Sequence, residues 1–202
     1  MLVERYGTYS RRFWTVVAAA LTSALILPAA EPLKIDAGFP GGNIVVESTQ
    51  GNTVTLHQDL RDTEGWWFYW AFRVRGASGR TLTFRFTNRN PIGVRGPAVS
   101  MDGGEHWRWL GTETVDGASF RFTFPENSDD VRFSMTIPYL ESNLQAFLNR
   151  YRGDRHLEAG TLCKSRKGRD VEKLLVGRLD GRCRYRILLT ARHHACEAIA
   201  SY

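Results

Sequence analysis

Long apolar runs are scarce in this chain of 202 residues. One stands out, residues 13–27, and at about 15 positions it falls short of the roughly 20 that a membrane-crossing helix needs, so no stable membrane span is expected. Cysteine is equally sparse. Cys163, Cys183 and Cys196 leave an odd thiol if any two pair. Cys163 and Cys183 can approach across neighbouring strands in an oxidising compartment, and free buried thiols are the alternative. Basic charge is in excess, with a net +6, but it is scattered, and part of it lies in Arg5, Arg11 and Arg12. With no long basic run and no recognised nucleic-acid motif, nucleic acid is not an expected partner. Internal repeats and low-complexity linkers are also absent.

What is present begins with an export pattern. Arginines precede the apolar run, and Pro28-Ala29-Ala30 follows it before the more polar Glu31-Pro32. Residues 1–30 therefore read as a secretory signal peptide, placing the mature chain in the periplasm or outside the cell. Ser10-Arg11-Arg12 leaves the twin-arginine route open beside the general one.

From residue 33 to 137 the apolar positions alternate with a period of two. Phe68, Trp70, Phe72 and Val74 are expected on one strand face. Leu82, Phe84 and Phe86 follow on another strand, then Phe120, Phe122 and Phe124, then Val131, Phe133, Met135 and Ile137. Turn signals such as Gly51-Asn52 and Asp116-Gly117 separate these runs at β-sandwich intervals. After Pro138 the period changes. Leu140, Leu144, Phe147, Leu148 and Tyr151 recur at helical spacing, with Gly153 placed to end the helix. Two strand-like runs, 158–164 and 171–176, then flank the turn at Lys167-Gly168. The fold expected is α+β, with an N-terminal antiparallel β-sandwich over residues 31–137 and the start of an α/β domain over 138–202.

Two aromatic features invite a binding role. Ser100-Met101-Asp102-Gly103-Gly104-Glu105-His106-Trp107 fits S-x-D-x-G-x-x-W and resembles the Asp-box hairpin of sialidase-like β proteins, where the Asp organises the turn and the Trp packs beneath it. The cluster Trp66-Trp67-Phe68-Tyr69-Trp70 offers rings that stack on sugars if one set reaches solvent, and otherwise fills the interior. A noncatalytic, glycan-binding sandwich is the alternative function these features support.

The C-terminal stretch Thr190-Ala191-Arg192-His193-His194-Ala195-Cys196-Glu197 sets His194 and Glu197 three apart. It follows the apolar run 186–190, which reads as a buried strand, and precedes what looks like a helix start, where a carboxylate is favoured. Catalytic zinc commonly takes two histidines and a carboxylate and keeps a fourth position open, so His194 and Glu197 are candidate metal ligands. His193 is an alternative ligand, and a strand end followed by a helix with no metal is another reading. His57, His106 and His156 read as surface or strand residues rather than a third ligand.

This string resembles the first metal motif of the zinc carboxypeptidases, in the branch that includes the cytosolic carboxypeptidases, whose usual form is A-R-x-H-P-G-E. Here Ala195-Cys196 replaces Pro-Gly. Ile137-Pro138-Tyr139 with Leu144-Gln145-Ala146-Phe147-Leu148 resembles that branch's entry to the catalytic domain, and residues 165–171 its first hairpin. The resemblance covers about residues 60 to 202. It implies a zinc metallocarboxypeptidase that hydrolyses the C-terminal bond of a peptide or protein substrate. It also implies that the third zinc ligand, the general base and the carboxylate-binding residues lie beyond Tyr202. No catalytic residue is assignable here, and the chain alone is expected to be a truncated, inert form.

Overall fold

The structure is a computed structural model that describes residues 31–61, 63–194 and 196–202. The signal expected over residues 1–30 lies outside the described residues. In chain order the strands are β1 (Lys34–Asp36), β2 (Val45–Gln50), β3 (Thr53–His57), β4 (Ala71–Arg75), β5 (Thr81–Phe86), β6 (Ala98–Ser100), β7 (Arg108–Trp109), β8 (Val115–Asp116), β9 (Ser119–Thr123) and β10 (Val131–Ser134). Helix α1 (Glu141–Arg150) follows, then the hairpin strands β11 (Leu157–Lys164) and β12 (Asp170–Val176).

The first ten strands form two five-stranded sheets, ordered β1-β4-β10-β6-β7 and β2-β3-β5-β9-β8. Period-two side chains from both sheets meet between them. Phe72 and Val74 of β4, Leu82, Phe84 and Phe86 of β5, Phe120 and Phe122 of β9, and Val131 and Phe133 of β10 are all buried. Phenylalanine dominates this interior. Phe84 packs 5.0 Å from both Phe72 and Phe120 and 5.3 Å from Phe133, ring centre to ring centre. Each such ring, taken out of water, stabilises the fold by about 1.5–3 kcal/mol.

The sandwich is antiparallel in all its strand pairings but one, since β3 and β5 run parallel. That exception follows from β4, which lies between them in sequence but belongs to the other sheet. The β2–β3 hairpin turns through Gly51-Asn52, with Gly51 at φ 59°, a conformation glycine adopts without a Cβ clash.

On the outer face of the first sheet, alternate positions are polar and cross-linked. Asp36 on β1 accepts from Arg73 at 2.8 Å and from Arg75 at 3.0 Å. Asp130 lies 3.5 Å from Arg73 and accepts from Arg132 at 2.9 and 3.1 Å. Three strands are thereby tied together on the wet side of the sheet, with the Arg132 guanidinium 4.6 Å above the ring of Phe39.

Two expectations change here. Phe68 does not share the core face with Trp70, because the ladder starts only at Ala71; it joins a second cluster around Tyr69, Ala71 and Cys196. Residues 186–190 do not form a buried strand. Ile187, Leu188 and Leu189 are 84%, 86% and 88% exposed, and no described residue pairs with their backbone. A strand needs a neighbour for its N–H and C=O groups, and among the described residues this run has none.

The hairpin and helix form where expected. Helix α1 ends at Arg150, three residues before Gly153, whose φ is 81°. The β11–β12 hairpin turns at Lys167-Gly168 and shifts register between Thr161 and Cys163. Its side chains are largely exposed on both faces.

Candidate metal site

The chain around His194 is tied both to the segment that follows the sandwich and to the end of β4. The Arg192 side chain donates to the Tyr139 carbonyl, and Tyr202 donates its hydroxyl to the Pro138 carbonyl at 2.7 Å. The Tyr139 and Tyr202 rings meet edge to face, 5.1 Å apart. Cys196 is buried against Tyr69 and Ala71. The loop carrying His194 and Glu197 is thus seated on the end of β4, although the strand expected before it does not form.

His194 and Glu197 come together as their spacing predicts. The imidazole Nδ1 lies 2.6 Å from Glu197 Oε1, and the His194 backbone N–H donates to Oε2 at 3.1 Å. These two bonds hold the Glu197 carboxyl below its ordinary value of 4.5, the side-chain bond contributing more than the backbone one. Both side chains are about half exposed. The helix expected from Glu197 is a 3-10 turn, Ala198–Ser201, and the carboxylate folds back onto His194 instead of capping it.

The donor set is part of a zinc site in kind, because an imidazole nitrogen and a carboxylate oxygen, both ordinary zinc ligands, lie side by side, here hydrogen-bonded to each other. No described His, Cys, Asp or Glu supplies a third group within ligating range of this pair. The remaining histidines lie elsewhere. His57 is 3.8 Å from Glu47, and His156 Nδ1 is 3.0 Å from the Gly177 carbonyl. His193 has no bond to Glu197, while His194 has two.

The Asp102 turn behaves as its sequence implies. Asp102 Oδ1 accepts from the backbone N–H groups of Glu105 and His106 at 3.1 and 2.9 Å and from the Ser100 hydroxyl at 2.8 Å. Trp107 donates its indole N–H to the Gly104 carbonyl at 3.0 Å. Asp102, Glu105 and His106 place three potential ligand atoms within 4.8 Å of one another, all exposed. The Asp102 oxygens are already spent on the turn and on His106 Nδ1, 2.7 Å away, so the group's role is to shape the loop.

The five rings of residues 66–70 are shared out within the chain. Trp70 is in the core, with its indole N–H donated to the Pro91 carbonyl at 3.1 Å. Tyr69 donates its hydroxyl to the Gly41 carbonyl at 2.7 Å, and Arg89 sits 5.6 Å from the ring of Trp66. Trp67 stacks on Phe68, 4.8 Å between centres, and its other neighbour is the imidazole of His194 at 5.0 Å. Nothing in the sequence connects this tryptophan with the loop carrying His194 and Glu197. The three cysteines are free thiols, exposed at Cys163 and buried at Cys196, where burial pushes the thiol's pKa up.

A family model for the cytosolic carboxypeptidase N-terminal domain matches residues 35–135, the span from β1 to just past β10. The chain belongs to the cytosolic carboxypeptidase N-terminal domain family. An uncharacterized protein of Zymomonas mobilis is 30% identical over 180 residues, covering 84% of this chain and 45% of that protein. A metallo-carboxypeptidase from Burkholderia cenocepacia has a similar structure, with a TM-score of 0.58 at 22% identity over 75% of this chain and 41% of that one. A metallo-carboxypeptidase from Pseudomonas aeruginosa, solved with (2-guanidinoethylmercapto)succinic acid, gives 0.57 at 27% identity over 73% and 41%. The chain spans less than half the length of each of these relatives. Its fold is like that of the two solved structures, and His194 and Glu197 lie outside residues 35–135, which the family model matches.

Proposed function

We propose that this chain is the N-terminal part of a zinc-dependent metallocarboxypeptidase that removes C-terminal residues from peptides or proteins. The observation that carries the reading is the convergence of His194 Nδ1 and Glu197 Oε1 at 2.6 Å, in a loop attached to a sandwich of the cytosolic carboxypeptidase type. Zinc held there would polarise the scissile carbonyl and acidify a bound water. The part played by this chain is to supply two ligands, to hold the imidazole with Nδ1 turned toward the carboxylate, and to fix the loop through Arg192, Cys196 and Tyr202. The third ligand, the general base and the group that binds the substrate carboxylate are assigned to the longer part of the relatives that this chain does not cover. Export is part of the same proposal, supported by the arginine-flanked apolar segment of residues 1–30. Among the described residues no helix is long and apolar enough to cross a membrane.

Zinc titration of the 202-residue chain tests the ligand assignment. Weak binding that disappears in both His194→Ala and Glu197→Gln is expected, and equal binding by wild type and both variants would overturn it. Peptidase assays with C-terminal peptide substrates should show no turnover by this chain. Full activity with stoichiometric zinc would show that the remaining groups are already present.

A further inference from the structure

Gln58 is a polar side chain at 1% exposure, in a position where the strand pattern calls for an apolar one. It lies just past the end of β3, and its amide donates to the backbone carbonyl of Trp67. The bond from Nε2 offsets only part of the cost of burying this amide, since Oε1 has no partner among the described residues, and it ties down a segment that has no ladder of its own. Trp67 is the residue so fixed. Its indole stacks on Phe68 at an interplanar angle of 24° and sits 5.0 Å from the His194 imidazole at 49°. The Glu197 carboxylate is bonded to Nδ1 of the same imidazole. His194 thus has two side-chain neighbours, an indole and a carboxylate, while Cys196, two residues on, is buried against Tyr69 and Ala71. An aromatic neighbour limits ring rotation at His194 without competing for either nitrogen, since an indole face offers no lone pair.

We propose that Trp67, held by Gln58, is a positioning residue for His194, so that the N-terminal sandwich helps to build the metal loop. This rests on the reading of His194 and Glu197 as zinc ligands, but the orientation of the imidazole is a property of the chain that is measurable with or without metal. The restraint acts through ring packing. It lowers the freedom that His194 must give up on binding an ion, as outer-shell partners of metal-ligating histidines do.

The test is NMR of the five histidine side chains at fixed pH, with His194 assigned through His194→Ala. In the wild-type chain the indole ring current should displace the His194 ring protons. Trp67→Leu should return them toward unstructured values while His57, His106 and His156 stay in place, and Trp67→Phe should restore part of the displacement. Unchanged His194 resonances in Trp67→Leu overturn the proposal. If Trp67→Leu fails to fold, Trp67→Phe answers the same question, because a smaller ring must still alter the shift. Zinc titration of the same proteins should give about tenfold weaker binding for Trp67→Leu, with recovery in Trp67→Phe. Equal zinc affinity in wild type and Trp67→Leu also overturns it. A wild-type chain that binds no zinc but shows the ring-current displacement and its loss sinks the zinc reading alone and leaves the positioning intact.

Discussion

Asp36 and Arg73 face each other in the β1–β4 register, and Asp36 Oδ1 accepts from Arg73 Nη2 at 2.8 Å. Burial opposes the aspartate's ionisation, but bonds from the Gly38 N–H, Arg73 and Arg75 outweigh it and hold the carboxyl below its ordinary value of 3.8. Because the folded pKa is depressed, the stabilisation is full above the unfolded carboxyl's pKa, about 3.9, and is lost as pH falls through the lower folded value. Asp36→Asn should cost about 1–3 kcal/mol at neutral pH. Urea unfolding at pH 7 and at pH 2 should show that this difference shrinks in acid; a constant difference would mean that the charge contributes nothing.

Phe84 touches Phe72, Phe120 and Phe133, so it joins rings from both sheets. Phe84→Ala should destabilise the sandwich by about 3–5 kcal/mol through lost burial and the cavity left behind. The midpoint of urea unfolding, followed by far-UV circular dichroism, measures it. A shift no larger than that of an exposed substitution would place the ring outside the cooperative core.

Asp102 is the acceptor for its own turn, and its bonds to the His106 N–H and ring and to Ser100 hold its carboxyl well below the usual carboxylate range. Asp102→Ala should speed amide hydrogen exchange at Glu105 and His106 while leaving the unfolding midpoint nearly unchanged, since the turn is exposed and separate from the Phe84 interior. Exchange rates equal to wild type at both amides would contradict the role assigned to the carboxylate.

The parts of this structure legible in the sequence are those fixed by near neighbours. Period-two runs place Phe84 and Phe120 in the core because alternate side chains of a strand must face opposite ways. Helix α1 follows from its own apolar spacing, and His194 meets Glu197 because three residues of turn suffice to bring them together. What escaped was decided between remote segments. The sequence of residues 186–190 carries a strand's composition, but pairing depends on a neighbour, and none of the described residues supplies one. The Trp67–His194 contact has no local signal. Only the glutamine at position 58, polar yet in phase with the buried Val54 and Leu56, marks the segment as specially held.

The parallel pairing of β3 with β5 bears on how quickly the molecule folds. Neither strand can zip up with the other as a hairpin, because the chain must first cross to the opposite sheet, lay down β4 and return. The loop-closure entropy is spent before the central pair of that sheet gains any hydrogen bond. Such delayed, non-local pairing belongs to chains that fold in about milliseconds to seconds. During that interval the facing edges of β3 and β5 carry unpaired N–H and C=O groups beside apolar side chains, making this the step at which a newly made chain is most open to mispairing.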